Sequence, residues 1–225
     1  SLVGSEMCIR DRVLQCPYEF EKGKLIVREM TDLLVLDLVE KHLVTDQMVL
    51  TIGYDIDNLT DPKRRNAYHG EVTIDRYGRR VPKHAHGTIN LKNQTSSTKQ
   101  IMDAVMELYD RIVDPNLLIR RIYVVACRLS DESSAKQEET FEQLDLFTDY
   151  AALEQKKQAE KVKKEKERKL QEAVLSVKKK YGKNAMLKGM NLQEGATSVE
   201  RNRQIGGHKA VSYTHLRAHE TSAHL

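Results

Sequence analysis

A run of aspartates, a pair of histidines and three cysteines are the groups whose spacing invites a chemical reading. Tyr54-Asp55-Ile56-Asp57-Asn58, with Asp61 beyond it, offers paired carboxylates of the kind that hold Mg²⁺. An EF-hand register starting at Asp55 fails. It puts Leu59 at position five, Thr60 in place of glycine at six and Asn66 in place of glutamate at twelve. Aspartates leaving a strand serve turns, so Asp55, Asp57 and Asp61 read better as solvated turn residues than as a metal site. His84 and His86 have no third ligand nearby, and read as exposed side chains or loop-edge donors to phosphate. Cys8, Cys16 and Cys127 show no metal spacing, and their odd number suits a reducing cytoplasm. No catalytic residue, metal ligand or cofactor is assigned within the chain.

A second chemistry, recognition without reaction, resides in Gln143-Leu144-Asp145-Leu146-Phe147. Upstream, Ser130 to Glu139 is polar and acidic, with Ala135 its one apolar residue. Such a stretch buries too little surface to fold, and residues 130–142 read as a flexible tether. An apolar pentapeptide on a tether is a docking peptide: the Gln143 amide donates and accepts, and Leu144, Leu146 and Phe147 are anchors for an apolar pocket. A short amphipathic turn folded back on its own domain accounts for the same residues, and composition does not separate the two.

The elements that must carry these groups follow from periodicity. Glu19 to His42 predicts a long helix, with Ile26, Met30, Leu33 and Val27, Leu34, Leu38 at three- and four-residue steps. Gln47 to Ile56 alternates as a half-buried strand, and Asp57 to Pro82 reads as a polar loop with turns at Asp61-Pro62 and Tyr77-Gly78. His86 to Lys92 alternates again. Ser96 or Ser97 caps a helix over Thr98 to Val113, and Leu118 to Leu129 closes the series as a strand. With a strand remnant from Val13, the predicted fold is α+β: a split β-α-β-β-α-β domain over 13–129, one sheet with two helices on one face. The other face is then bare, and Thr51, Gly53, Thr88, Asn90, Lys92, Arg121 and Tyr123 fall on it. Small, hydroxyl-bearing, amide and cationic groups without a carboxylate suit a phosphodiester backbone.

The 225 residues carry a net charge of +4 and 5% aromatics, thin for two cores. Between Lys156 and Lys169 lie eight Lys/Arg against three Glu, within a charged helix predicted over 149–181 and capped by Thr148. This helix reads as a solvated spacer, with Leu170, Val174 and Val177 a weak stripe near its end; a cationic arm along DNA is the sharper reading. Residues 182–210 form a polar tail without assignment. No run of ~18 apolar residues exists, so no membrane span is expected. Residues 1–12 and 211–225 share no periodicity with their neighbours and look like translated sequencing-adapter read-through. They are set aside, with His215, His219 and His224.

Gln143 to Phe147 resembles the bacterial sliding-clamp-binding peptide. The block from Val13 to Leu129 resembles the little finger, the C-terminal domain of Y-family translesion DNA polymerases, most closely the UmuC/DinB-like enzymes of Gram-positive bacteria. Lys180-Tyr181-Gly182-Lys183 and Gln204-Ile205-Gly206-Gly207-His208-Lys209 look like tail segments of that branch. The resemblance implies duplex primer-template DNA and the sliding clamp as partners. Arg120-Arg121-Ile122 matches the basic pair entering the last strand, and Thr88 to Lys92 the neighbouring DNA-facing strand. The DNA-facing set is then Thr51, Thr88, Asn90, Lys92, Arg120, Arg121 and Tyr123. Nucleotidyl transfer in the family needs palm-domain carboxylates and Mg²⁺, and that palm is expected before Val13, leaving this part of the polymerase inactive alone. A free-standing nucleic-acid-binding adaptor of the clamp, or an RNA-binding α/β domain with a coiled arm, are the alternatives.

Overall fold

The structure, a computed structural model, describes residues 7–135, 150–205 and 208–209. In chain order the elements are β1 (Cys8–Tyr18), α1 (Phe20–Glu40), β2 (Leu43–Tyr54), α2 (Asp57–Thr60), α3 (Pro62–Ala67), β3 (Val72–Ile74) and β4 (Arg80–Pro82). They continue with β5 (Ala85–Thr95), α4 (Thr98–Ile112), β6 (Ile119–Cys127), β7 (Ser130–Asp131), α5 (Glu132–Ala135) and α6 (Tyr150–Tyr181). A 3₁₀ turn (Gly189–Leu192), α7 (Ser198–Arg201) and the short pair β8 (Gln204–Ile205) and β9 (His208–Lys209) end the described chain.

The main sheet runs β1-β6-β2-β5, and each neighbouring pair is antiparallel. β1 and β2 are therefore parallel to each other across β6, joined by α1; β5 and β6 are parallel across β2, joined by α4. These are two interleaved split β-α-β units, the expected α+β arrangement. Alternation decides the faces. Met48, Leu50, Ile52 and Tyr54 of β2 and Ile122, Val124 and Ala126 of β6 are buried against Ile26, Met30, Leu34 and Leu38 of α1 and Ile101, Val105 and Leu108 of α4. Gly23 lets α1 settle: a Cβ there would stand 2.5 Å from Ile119 Cδ1 and 2.9 Å from the Tyr109 hydroxyl. That hydroxyl donates to the Phe20 carbonyl at 2.8 Å, and burial pushes the Tyr109 phenol well above its ordinary pKa.

Several sequence expectations change. The boundary at Val13 moves back: β1 begins at Cys8, paired Cys8↔Ala126 through Val13↔Arg121, so Cys8 to Arg12 belong to the sheet. The tether does not begin at Ser130, because β7 pairs with the start of β2 (Leu43↔Asp131, Val44↔Ser130) and α5 follows it. Backbone pairing there needs no apolar side chain, which is why a polar stretch misled the composition. The loop after β2 is partly helical: Asp61 caps α3, accepting from Lys63 N at 3.0 Å, with Pro62 at the first helical position.

The largest difference lies on the outer side of α1. Both its sheet-facing and its outward residues are buried, Glu29 completely. A helix buried all round needs cover on both sides. α6 and the polar tail provide it. Glu29 accepts from Thr197 N (2.9 Å), Asn191 Nδ2 (2.9 Å), Ser198 N (3.2 Å) and Arg12 Nη1 (3.3 Å). Burial pulls the Arg12 guanidinium down to about 10 while Glu29 opposes the fall, so Arg12 stays cationic at neutral pH. Lys188 pairs with Asp32, and Lys22 with Glu194 at 2.7 Å.

α6 docks through a different register from Leu170, Val174 and Val177. Leu170 is exposed; Gln171 is buried and donates to Ser96 O and Thr98 Oγ1, both at 2.9 Å, while Leu175 packs on the core. Glu167 accepts from the Ser97 hydroxyl (2.7 Å) and Lys99 N (3.1 Å), and Arg168 pairs with Glu132 at 3.0 Å. The spacer expectation is thus corrected for the C-terminal half of α6. Gln143 to Phe147 lies outside the described residues.

Candidate nucleic-acid interface

The face of the sheet turned away from α1 and α4 is carried by alternate residues of all four strands. On β5, His86, Thr88, Asn90 and Lys92 are exposed; on β2 and β6, Thr51, Arg121 and Tyr123 are half-buried. Register brings them together. Thr51 stands opposite both His86 and Tyr123, Gly53 opposite Arg121, and Gln47 opposite Asn90. A Cβ on Gly53 would lie 3.2 Å from Arg121 Cβ, so glycine gives the arginine room to lie across the sheet, 5.8 Å from the Tyr123 ring.

Of the seven residues assigned to DNA from the sequence, six share this surface. Asn90 Oδ1 accepts from Gln47 Nε2 (2.9 Å) and Arg128 Nη2 (3.1 Å), which commits the acceptor and leaves the amide's N–H donors to solvent or ligand. The Thr88 carbonyl accepts from Arg111 Nη2 at 3.1 Å, fixing the strand while its side chain stays exposed. Lys92 and Arg121 have no ion pair among the described residues. The seventh, Arg120, sits at the register shift between Gly53 and Tyr54. It donates to Gln15 O at 3.0 Å and lies 3.6 Å from Asp55, so its charge is partly spent on the sheet's end.

Several residues on this face escape the sequence reading. His86, expected as an exposed side chain or a loop-edge donor to phosphate, is exposed but stands within β5 rather than in a loop, its Nδ1 2.8 Å from Thr51 Oγ1; its position two before Thr88 was the available signal. Gln47 and Arg128 escaped because they flank the alternating cores. Val49 and Val125 give the face an apolar centre, continued by the exposed Ile9 and Val13 of β1. The absence of carboxylates also fails, because Asp11 of β1 is exposed opposite Tyr123.

The aspartates that resembled a metal site hold backbone instead. Asp55 is buried, contrary to the solvated reading, and accepts from Asp57 N at 2.9 Å. Asn58 ties the same turn to β6, donating to Leu118 O and accepting from Leu118 N. His84 and His86 meet edge-on at 6.5 Å between ring centroids. Among the described residues no group of three or more His, Cys, Asp or Glu is placed to hold a metal, and no helix is long and apolar enough to cross a membrane.

The impB/mucB/samB family C-terminal domain matches residues 12–146, well over half the chain. No curated protein matches. Among solved structures, a post-insertion binary complex of Dbh DNA polymerase aligns at 12% identity with a TM-score of 0.32, covering 56% of this chain and 29% of that one. The assignment rests on the matched residues, which take in every strand of the main sheet except the first part of β1.

Proposed function

Because the chain belongs to the impB/mucB/samB family, with the C-terminal domain of Y-family DNA polymerases over residues 12–146, we propose that it is the duplex-gripping and clamp-tethering portion of a lesion-bypass polymerase. The observation that carries this reading is the bare sheet face. Arg121 and Lys92 stand there with no ion pair among the described residues, beside hydroxyl and amide donors of the size that meets phosphate oxygens. Binding through such groups is backbone-directed and indifferent to sequence. Nucleotidyl transfer, with its Mg²⁺, belongs in this reading to a palm domain of the parent enzyme, outside the residues of this chain.

Fluorescence anisotropy on duplexes of unrelated sequence tests the grip. Affinity should fall steeply with salt and vary little with sequence, and Arg121→Glu should weaken it about tenfold or more. Unchanged affinity for Arg121→Glu removes the face from consideration. For the tether, Gln143 to Phe147 supplies the docking peptide, with Leu146 and Phe147 as anchors. Leu146→Ala with Phe147→Ala should abolish capture by a bacterial sliding clamp while leaving duplex affinity intact. Capture undiminished by the double change would withdraw the pentapeptide's role.

A further inference from the structure

Among the described residues, the side chains that dock α6 begin at Glu167. Residues 158–166 before that point are all exposed, and the helix from Tyr150 to there is roughly 25 Å long at ~1.5 Å per residue. It overhangs the end of β5, and between the two lies a groove of about 1080 Å³ lined by Lys92, Lys161, Lys164 and Lys169 together with acidic residues. Lys92 belongs to both surfaces: it is the last cation of the sheet face and the first of the groove.

The formal charges lining the groove balance, but they are not equally available. Glu132 and Glu172 are both held by Arg168, at 3.0 and 2.9 Å. Glu167 is spent on the Ser97 hydroxyl and Lys99 N, and Asp46 lies 3.8 Å from Arg128. Glu165 is the one lining carboxylate without a hydrogen bond or ion pair among the described residues, whereas none of the four lysines carries an ion pair there. Internal bonding has engaged four of the five acids but only one of the five cations, Arg168.

We infer that the overhanging half of α6 is an outrigger that extends the DNA grip, with Lys161 and Lys164 taking phosphates of the duplex beyond the stretch covered by the sheet. This rests on the sheet face being the DNA-gripping surface. Lys92 makes the two surfaces continuous, and the unpaired lysines complement a polyanion. Residues 158–166 are exposed and so do not pack on the domain. Four strands at ~4.8 Å spacing span about six base pairs at ~3.4 Å each, and the overhang adds about seven.

The test is anisotropy with the full chain on duplexes of about 8 and about 20 base pairs, across a salt series. It compares Lys161→Glu/Lys164→Glu with Arg121→Glu, and circular dichroism checks that α6 is intact. The helix variant should bind the longer duplex at least tenfold more weakly, with a salt slope shallower by about 2, and bind the shorter one nearly as wild type does. Arg121→Glu should weaken both lengths. If Arg121→Glu weakens binding but the helix variant leaves the longer duplex unaffected, the outrigger is refuted and the sheet grip stands. If neither variant changes affinity, both readings fall.

Discussion

The two faces of one sheet have opposite charge economies. On the helical side, carboxylates are buried or half-buried and answered from within: Glu29 by five donors, Asp32 by Lys188, Asp37 by Arg10. On the bare side, Arg121 and Lys92 have no carboxylate partner among the described residues. A buried charge is tolerable only when fully paired, whereas an exposed cation costs little to leave unpaired and is then free for an external anion. The same strands thus give stability to one layer and, in the proposed function, binding to the other.

If labour is divided that way, substitutions on one side should move stability alone and those on the other affinity alone. The largest effect is expected from Glu29→Ala. Removing the carboxylate strands Arg12 in a buried site and unpins the Asn191 to Ser198 segment, costing about 3–5 kcal/mol in chemical denaturation. A loss under about 1 kcal/mol would mean that the tail layer is not integral. Leu34→Ala, fully buried between the sheet and the outer layer, should cost about 2–5 kcal/mol with duplex affinity retained in the folded fraction. Ser97→Ala removes both the α4 cap and the hydroxyl that donates to Glu167, and a drop of about 0.5–2 kcal/mol is anticipated. Lys92→Ala sharpens the contrast from the other side. It should leave the denaturation midpoint within about 0.5 kcal/mol and reduce the salt slope of DNA binding by about 1; a stability loss with unaltered binding would reverse the assignment.

Much of this was legible in residue order. The strict alternation of Met48, Leu50 and Ile52, and the 4-3-4 spacing of Ile101, Val105, Leu108 and Ile112, specify faces, and those faces are the ones buried or bare. What stayed hidden has a common physical cause: bonds made by the backbone or by a lone polar side chain have no periodic signature. The Thr197 and Ser198 N–H groups bind Glu29, β7 pairs through its main chain, and Gln171 anchors α6 where an apolar residue was sought. Glu29 itself sat within a stretch read solely for its hydrophobic stripe. For the interface, alternation located six of seven assigned residues, but not the register shift that diverts Arg120 to Asp55.

The docking of α6 against Ser96 to Thr98 has a mechanical corollary for the pentapeptide. Residues 136–149 join α5 to α6. The two described elements that flank the proposed docking peptide are thus anchored to one domain, α5 through β7 and α6 at Gln171.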